Sequence, residues 1–95
     1  DRARTRAGEQ ADALFAAAAE KFAAALAVKP DNHNALFNLA CLHGLRGDVA
    51  GCIAALERRL KVRPTLTQAN LDADHDFDAV RSDPRFTAFR ERLAP

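Results

Sequence analysis

Tryptophan and tyrosine are absent from this 95-residue sequence, and six phenylalanines are its only aromatic side chains. Apolar residues make up 48% of the chain, but many are alanines, so each buried side chain brings little volume. A single small core rarely supplies more than about 3–5 kcal/mol without staples or partners. The length also falls below the usual domain mode of about 100–150 residues. Help is therefore expected from neighbouring helical units or from self-association. No run of about 20 apolar residues exists, so nothing is expected to span a membrane. A charged start, an apolar run and a small-residue cleavage site are missing as well, which leaves no secretory signal in the sequence. The chain opens on Asp1 rather than Met, and we expect it to be a segment of a longer protein.

Charge of one sign is also lacking. Fourteen basic and thirteen acidic residues leave a net charge of +1, so no global field draws nucleic acid or an anionic membrane. Two local basic runs, Arg2, Arg4 and Arg6, then Arg58, Arg59, Lys61 and Arg63, read as solvated helix faces. Only two cysteines occur, Cys41 and Cys52. Both fall in expected helices and read as small buried thiols of a reducing, cytoplasmic compartment. A disulfide between paired helices is the alternative.

Catalytic and metal-binding patterns are missing too. No C-x-x-C or H-x-x-x-H pair unites His33, Cys41, His43, Cys52 and His75 into a zinc site. The run D-A-D-H-D-F-D gives Asp72, Asp74, Asp76 and Asp78 the alternation of a calcium loop. Phe77 stands where such a loop needs glycine, and Asp83 replaces its distal Glu, so helix caps and a solvated turn are expected there. Cys41 and His43 are two residues apart, which points them to different faces of a helix. Gly44 and Gly47 read as a helix ending, not a phosphate loop. No catalytic, cofactor or metal residue is assigned, and the chain is not expected to be an enzyme.

What is present is helical periodicity throughout. Residues 9–28 form an Ala-rich pattern in which Leu14, Phe15, Ala18, Phe22, Ala25 and Leu26 share a stripe. Alanine has the strongest helix propensity, and the helix can reach back towards Arg2 at the cost of Gly8. Lys29-Pro30 stops it. Asp31 and Asn32 are N-cap candidates for a second helix over 33–46. Gly47 can close that helix in the left-handed conformation, and Asp48 can cap a third over 49–61, with Cys52, Ile53, Leu56 and Leu60 inward. Thr65 and Gln68 suggest a capping box for a short helix over 66–73. One helical turn is expected around 77–80. Asp83-Pro84 then opens a last helix packed by Phe86, Phe89 and Leu93.

Pro30 and Pro64 are 34 residues apart, the period of a tetratricopeptide repeat. Residues 33–64 resemble that family. Leu36 stands where the family prefers an aromatic, Leu39 and Ala40 match its Leu-Gly pair, and His43 replaces its Tyr. Gly47-Asp48 reproduces the turn, Cys52 takes the small slot, and Ile53 and Leu56 fill apolar slots. Arg59 departs from the pattern, occupying what is usually an alanine. Upstream, Ala18, Phe22, Ala25, Leu26 and Pro30 match only the second half of a repeat, because Arg2, Thr5 and Arg6 fall where core residues belong. The tail from Leu71 through Asp83-Pro84-Arg85-Phe86 is similar to the end of some bacterial repeat arrays.

The resemblance implies an all-α chain of antiparallel helical hairpins, a solenoid fragment of about five helices with a C-terminal capping helix. It divides residues 1–95 into a partial repeat (1–30), a full repeat (31–64) and an end-of-array segment (65–95). It also implies a protein–protein interaction module whose concave groove receives a peptide or partner helix. The expected binding face comprises Asn34, Phe37, Asn38, Cys41 and Leu45, with Gln68 and Asp72 from the next helix. Some relatives use an asparagine at the position of Asn38 to hold a peptide's terminal carboxylate. They need basic residues where Gln68 and Asp72 stand, so that clamp is not carried over, and an apolar, basic segment suits the face better. Phe37 and Leu45 packing on a neighbouring helix is the competing expectation. The other functional reading is self-assembly or array capping, with Leu14, Phe15 and Phe22 buried between copies.

Overall fold

The computed structural model describes residues 2–95, with side chains from Ala13 onward. Helices α1 (Arg2–Val28), α2 (His33–Leu45), α3 (Val49–Val62), α4 (Gln68–Asp72) and α5 (Pro84–Glu91), with a 3-10 turn at His75–Phe77, make up its regular structure. The only β-type pairing among the described residues is an isolated bridge between Thr67 and Ala94. The chain is therefore all-α, and none of these helices is long and apolar enough to cross a membrane.

Local chemistry sets most boundaries. Of the two cap candidates before α2, Asn32 takes the role, its side chain accepting from the Ala35 N–H at 3.1 Å. Gly47 adopts φ +73°, the left-handed region where a side chain is unfavourable. Asp48 then accepts from the Gly51 N–H to start α3. Arg63 is extended at the end of α3, as a residue before proline should be.

One cap lies elsewhere than expected. The capping box joins Thr67 and Asn70, not Thr65 and Gln68. Leu66 turns into the core, and the Gln68 N–H donates to the Ala94 carbonyl at 2.9 Å. Contacts with the chain's far end thus delay α4 by two residues. Gly44 lies in the last turn of α2, where the helix ending is expected. It is a packing position, because a Cβ there would lie 2.7 Å from the Asp76 carbonyl oxygen and 3.0 Å from the Phe77 ring.

Helix α2 is the hub, in contact with α1, α3 and the 3-10 turn. Leu36 and Ala40 are accordingly fully buried on it. The larger core joins Leu56 of α3 and Leu71 of α4 to Phe77, Val80, Phe86 and Phe89. A smaller one holds α1 to α2 through Phe22, Ala25 and Leu26 against Ala35 and Leu36. Cys41 and Cys52 are buried free thiols, which corrects the disulfide alternative.

Candidate functional site

An open groove of about 860 Å³ runs between α2 and α4. On α2 the near-i, i+4 spacing of His33, Asn34, Phe37 and Asn38 puts these side chains on one face, and all four line the groove. Phe37 also meets Phe77 edge-on, with centroids 5.9 Å apart, so its ring is half-buried in the floor. Across the groove stand Ala69, Asn70 and Ala73. They face it because α4 is pinned on its other sides: Leu71 is fully buried, and the Gln68 amide donates to the Leu93 carbonyl. Small alanines at i and i+4 keep that wall open.

The two ends carry opposite charge. Arg59, from the last turn of α3, and Arg63, the residue that caps it, stand with His33 at one end. Arg59 donates to the Arg63 carbonyl, and Arg63 donates to His33 Nε2 at 3.0 Å. A guanidinium only donates, so this His33 nitrogen accepts and the ring is neutral with its proton on Nδ1. Burial, followed by the fields of Arg63, Arg59 and Lys29, holds its pKa below 6.5, and Asp31 opposes them. Neither arginine is paired with a carboxylate among the described residues.

The 3-10 turn supplies the other end. There Asp74 accepts from the Asp76 N–H at 2.9 Å through Oδ1 and from the Cys41 thiol at 3.4 Å through Oδ2. Burial and then the Asp74 charge push the Cys41 thiol up, and burial with Asp48 pushes Cys52 up to about 12. Both are protonated thiols at neutral pH, unlike a nucleophilic or metal-binding thiolate. The ligand atoms of Cys41, Asp74 and Asp76 lie within 4.8 Å of one another, but Asp74 is already occupied by the thiol and the backbone.

Of the seven residues expected at the site, Asn34, Phe37 and Asn38 line the groove. Cys41 is buried beneath its acidic end. Leu45 is 51% exposed and outside it. Gln68 and Asp72 also lie outside, Asp72 accepting from Arg90 at 2.7 and 2.6 Å. Ala69 and Ala73 take the positions expected for those two residues, a rotation of about 100° for one helical residue. Phe22 packs within the chain against α2, Phe15 lies under the Arg46 guanidinium, and Leu14 is 72% exposed.

Sequence reasoning missed His33, Arg59, Arg63, Asn70, Asp74 and Asp76 as groove residues. Arg59 in an alanine slot was the one available signal. Comparisons with protein-family models, curated proteins and solved structures return no match.

Proposed function

We propose that this chain is a non-enzymatic protein–protein interaction module of tetratricopeptide-like build, and that the α2–α4 groove receives a short extended segment of a partner. The observation that carries this reading is the groove itself. It joins an apolar floor at Phe37 and Leu66 to the side-chain amides of Asn34, Asn38 and Asn70. Binding sites combine apolar lining with a few polar groups that fix orientation in this way, and asparagine amides can serve the backbone of an extended peptide. The antiparallel order of α2 and α3 about the Gly47 turn supports the repeat-like reading, and the protonated thiols support a non-catalytic one.

Selection of phage-displayed random peptides against the protein tests the proposal. Enriched peptides should bind the parent and be lost on Ala69→Arg, which fills the groove from its small-residue wall. Enrichment indifferent to Ala69→Arg, or no enrichment, would overturn it.

Self-assembly is the second reading, favoured by the exposed Leu14 on an Ala-rich helix. Sedimentation equilibrium across a wide concentration range decides it: a tight dimer dissociated by Leu14→Glu supports self-assembly, and a monomer removes it.

A further inference from the structure

We infer that the groove selects an extended peptide carrying an Asp or Glu side chain at one end, an apolar residue in the middle and a Lys or Arg at the other, in alternate positions. This deepens the peptide-groove reading above and rests on it.

Charge at both ends of the groove is left without an ionic partner. Four acids elsewhere in the C-terminal half pair with arginines: Asp72 with Arg90, Asp78 with Arg81, Asp83 with Arg85, Glu57 with Arg92. The charges at the two ends of the groove are not paired in this way. Arg59 and Arg63 at one end and the Asp76 carboxylate at the other form no ion pair with each other or with any described residue, and Asp74, held by the Cys41 thiol and the Asp76 N–H, has no cationic partner either. Two separated clusters of opposite sign therefore face one open channel, and a ligand with the complementary dipole satisfies both.

Their separation follows from α2. The basic end is fixed beside His33 by the Arg63 contact, and the acidic end beside Cys41 by the Asp74 contact. Eight helical residues at 1.5 Å each separate the two by about 12 Å. An extended chain rises about 3.3 Å per residue, so about four residues cover that span. Side chains at i, i+2 and i+4 of an extended chain point the same way. The outer two then reach the charged ends, and the middle one meets Phe37, which lies midway between His33 and Cys41.

Arg63 is exposed and Arg59 only half-buried, so a chain can run past the basic end. This favours an acidic side chain over a chain terminus.

Five fluorescent peptides with blocked termini make that test by anisotropy: Glu-Ser-Leu-Ser-Lys, Lys-Ser-Leu-Ser-Glu, Glu-Ser-Leu-Ser-Glu, Lys-Ser-Leu-Ser-Lys and Gln-Ser-Leu-Ser-Gln. One opposite-sign order should bind tightest. Arg63→Gln and Asp76→Asn should each weaken it by up to about fivefold, the scale of one partly exposed charge pair. Arg63→Glu should shift preference towards Lys-Ser-Leu-Ser-Lys. If the neutral peptide binds equally well and Ala69→Arg abolishes all binding, the groove stands and the charge rule falls. Tightest binding by a like-charged peptide also overturns the rule. A free-acid terminus outperforming its blocked form would assign the basic end to a chain terminus and overturn the side-chain form. No binding by any of the five, with an empty phage selection, would overturn the groove reading itself.

Discussion

Residues 65–95 and helix α1 are held in place by different means. The tail contains one helix of five residues and one of eight, lengths that intrinsic propensity alone does not sustain in water. Its order comes from burial of Phe77, Phe86 and Phe89 and from caps at Thr67, Asp74 and Asp83. Arg81 adds a tie by donating to the carbonyls of Leu71 and Asp74 at 3.1 and 2.8 Å. Helix α1 has 27 residues and ample alanine, and among its described side chains Phe22, Ala25 and Leu26 are the ones that join the smaller core with α2. Local propensity makes a helix, whereas tertiary closure makes a site. The groove accordingly sits where α2, α3 and the tail converge, away from α1.

The strongest way to break this contrast is Phe77→Ala. It empties the centre of the larger core and removes the ring beneath Phe37, so urea denaturation should show a loss of about 3–5 kcal/mol. Gly44→Ala comes next. Its methyl group meets backbone on the 3-10 turn, and overpacking of this kind costs about 1–3 kcal/mol in the same assay. A neutral result would mean that the turn does not rest on α2.

Acid sharpens the comparison by a smaller step. Asp72, Asp78 and Asp83 are held below the ordinary carboxylate range, first by hydrogen bonds from Arg90, Arg81 and Arg85 respectively. A lowered folded-state pKa gives stability that is present above the unfolded value and lost as pH falls through the folded one. Carbon chemical shifts of α4 and α5 should therefore move towards coil as pH drops below about 4, ahead of those of α2. Simultaneous loss in α2 and the tail would refute that order. The smallest effect belongs to Leu14→Ser, expected within about 0.5 kcal/mol of the parent because the side chain is exposed. A loss above about 1 kcal/mol that grows with protein concentration would mean that a second copy covers it.

The helix boundaries were legible where one residue's chemistry decides them: Pro30, Gly47-Asp48, Pro64 and Asp83-Pro84. The start of α4 was not, since Ala94 and Leu93 at the far end of the chain displace the cap from Thr65 to Thr67. The same displacement hid half of the site. The resemblance to the repeat family pointed to Asn34, Phe37 and Asn38, but which face α4 turns to them depends on the burial of Leu71 and the pairing of Asp72 with Arg90. Arg59 and Arg63 read as solvent-facing charges, and beyond Arg59 in an alanine slot nothing local indicates that they share a groove with Asp74 and Asp76.

Amide chemical-shift mapping of the labelled protein with a phage-selected peptide decides whether the groove is the binding site. Shifts are expected at Asn34, Phe37, Asn38, Ala69, Ala73 and Asp76, and none of them in Ala69→Arg. Shifts confined to Leu14 through Phe22, with the groove silent, would contradict that assignment.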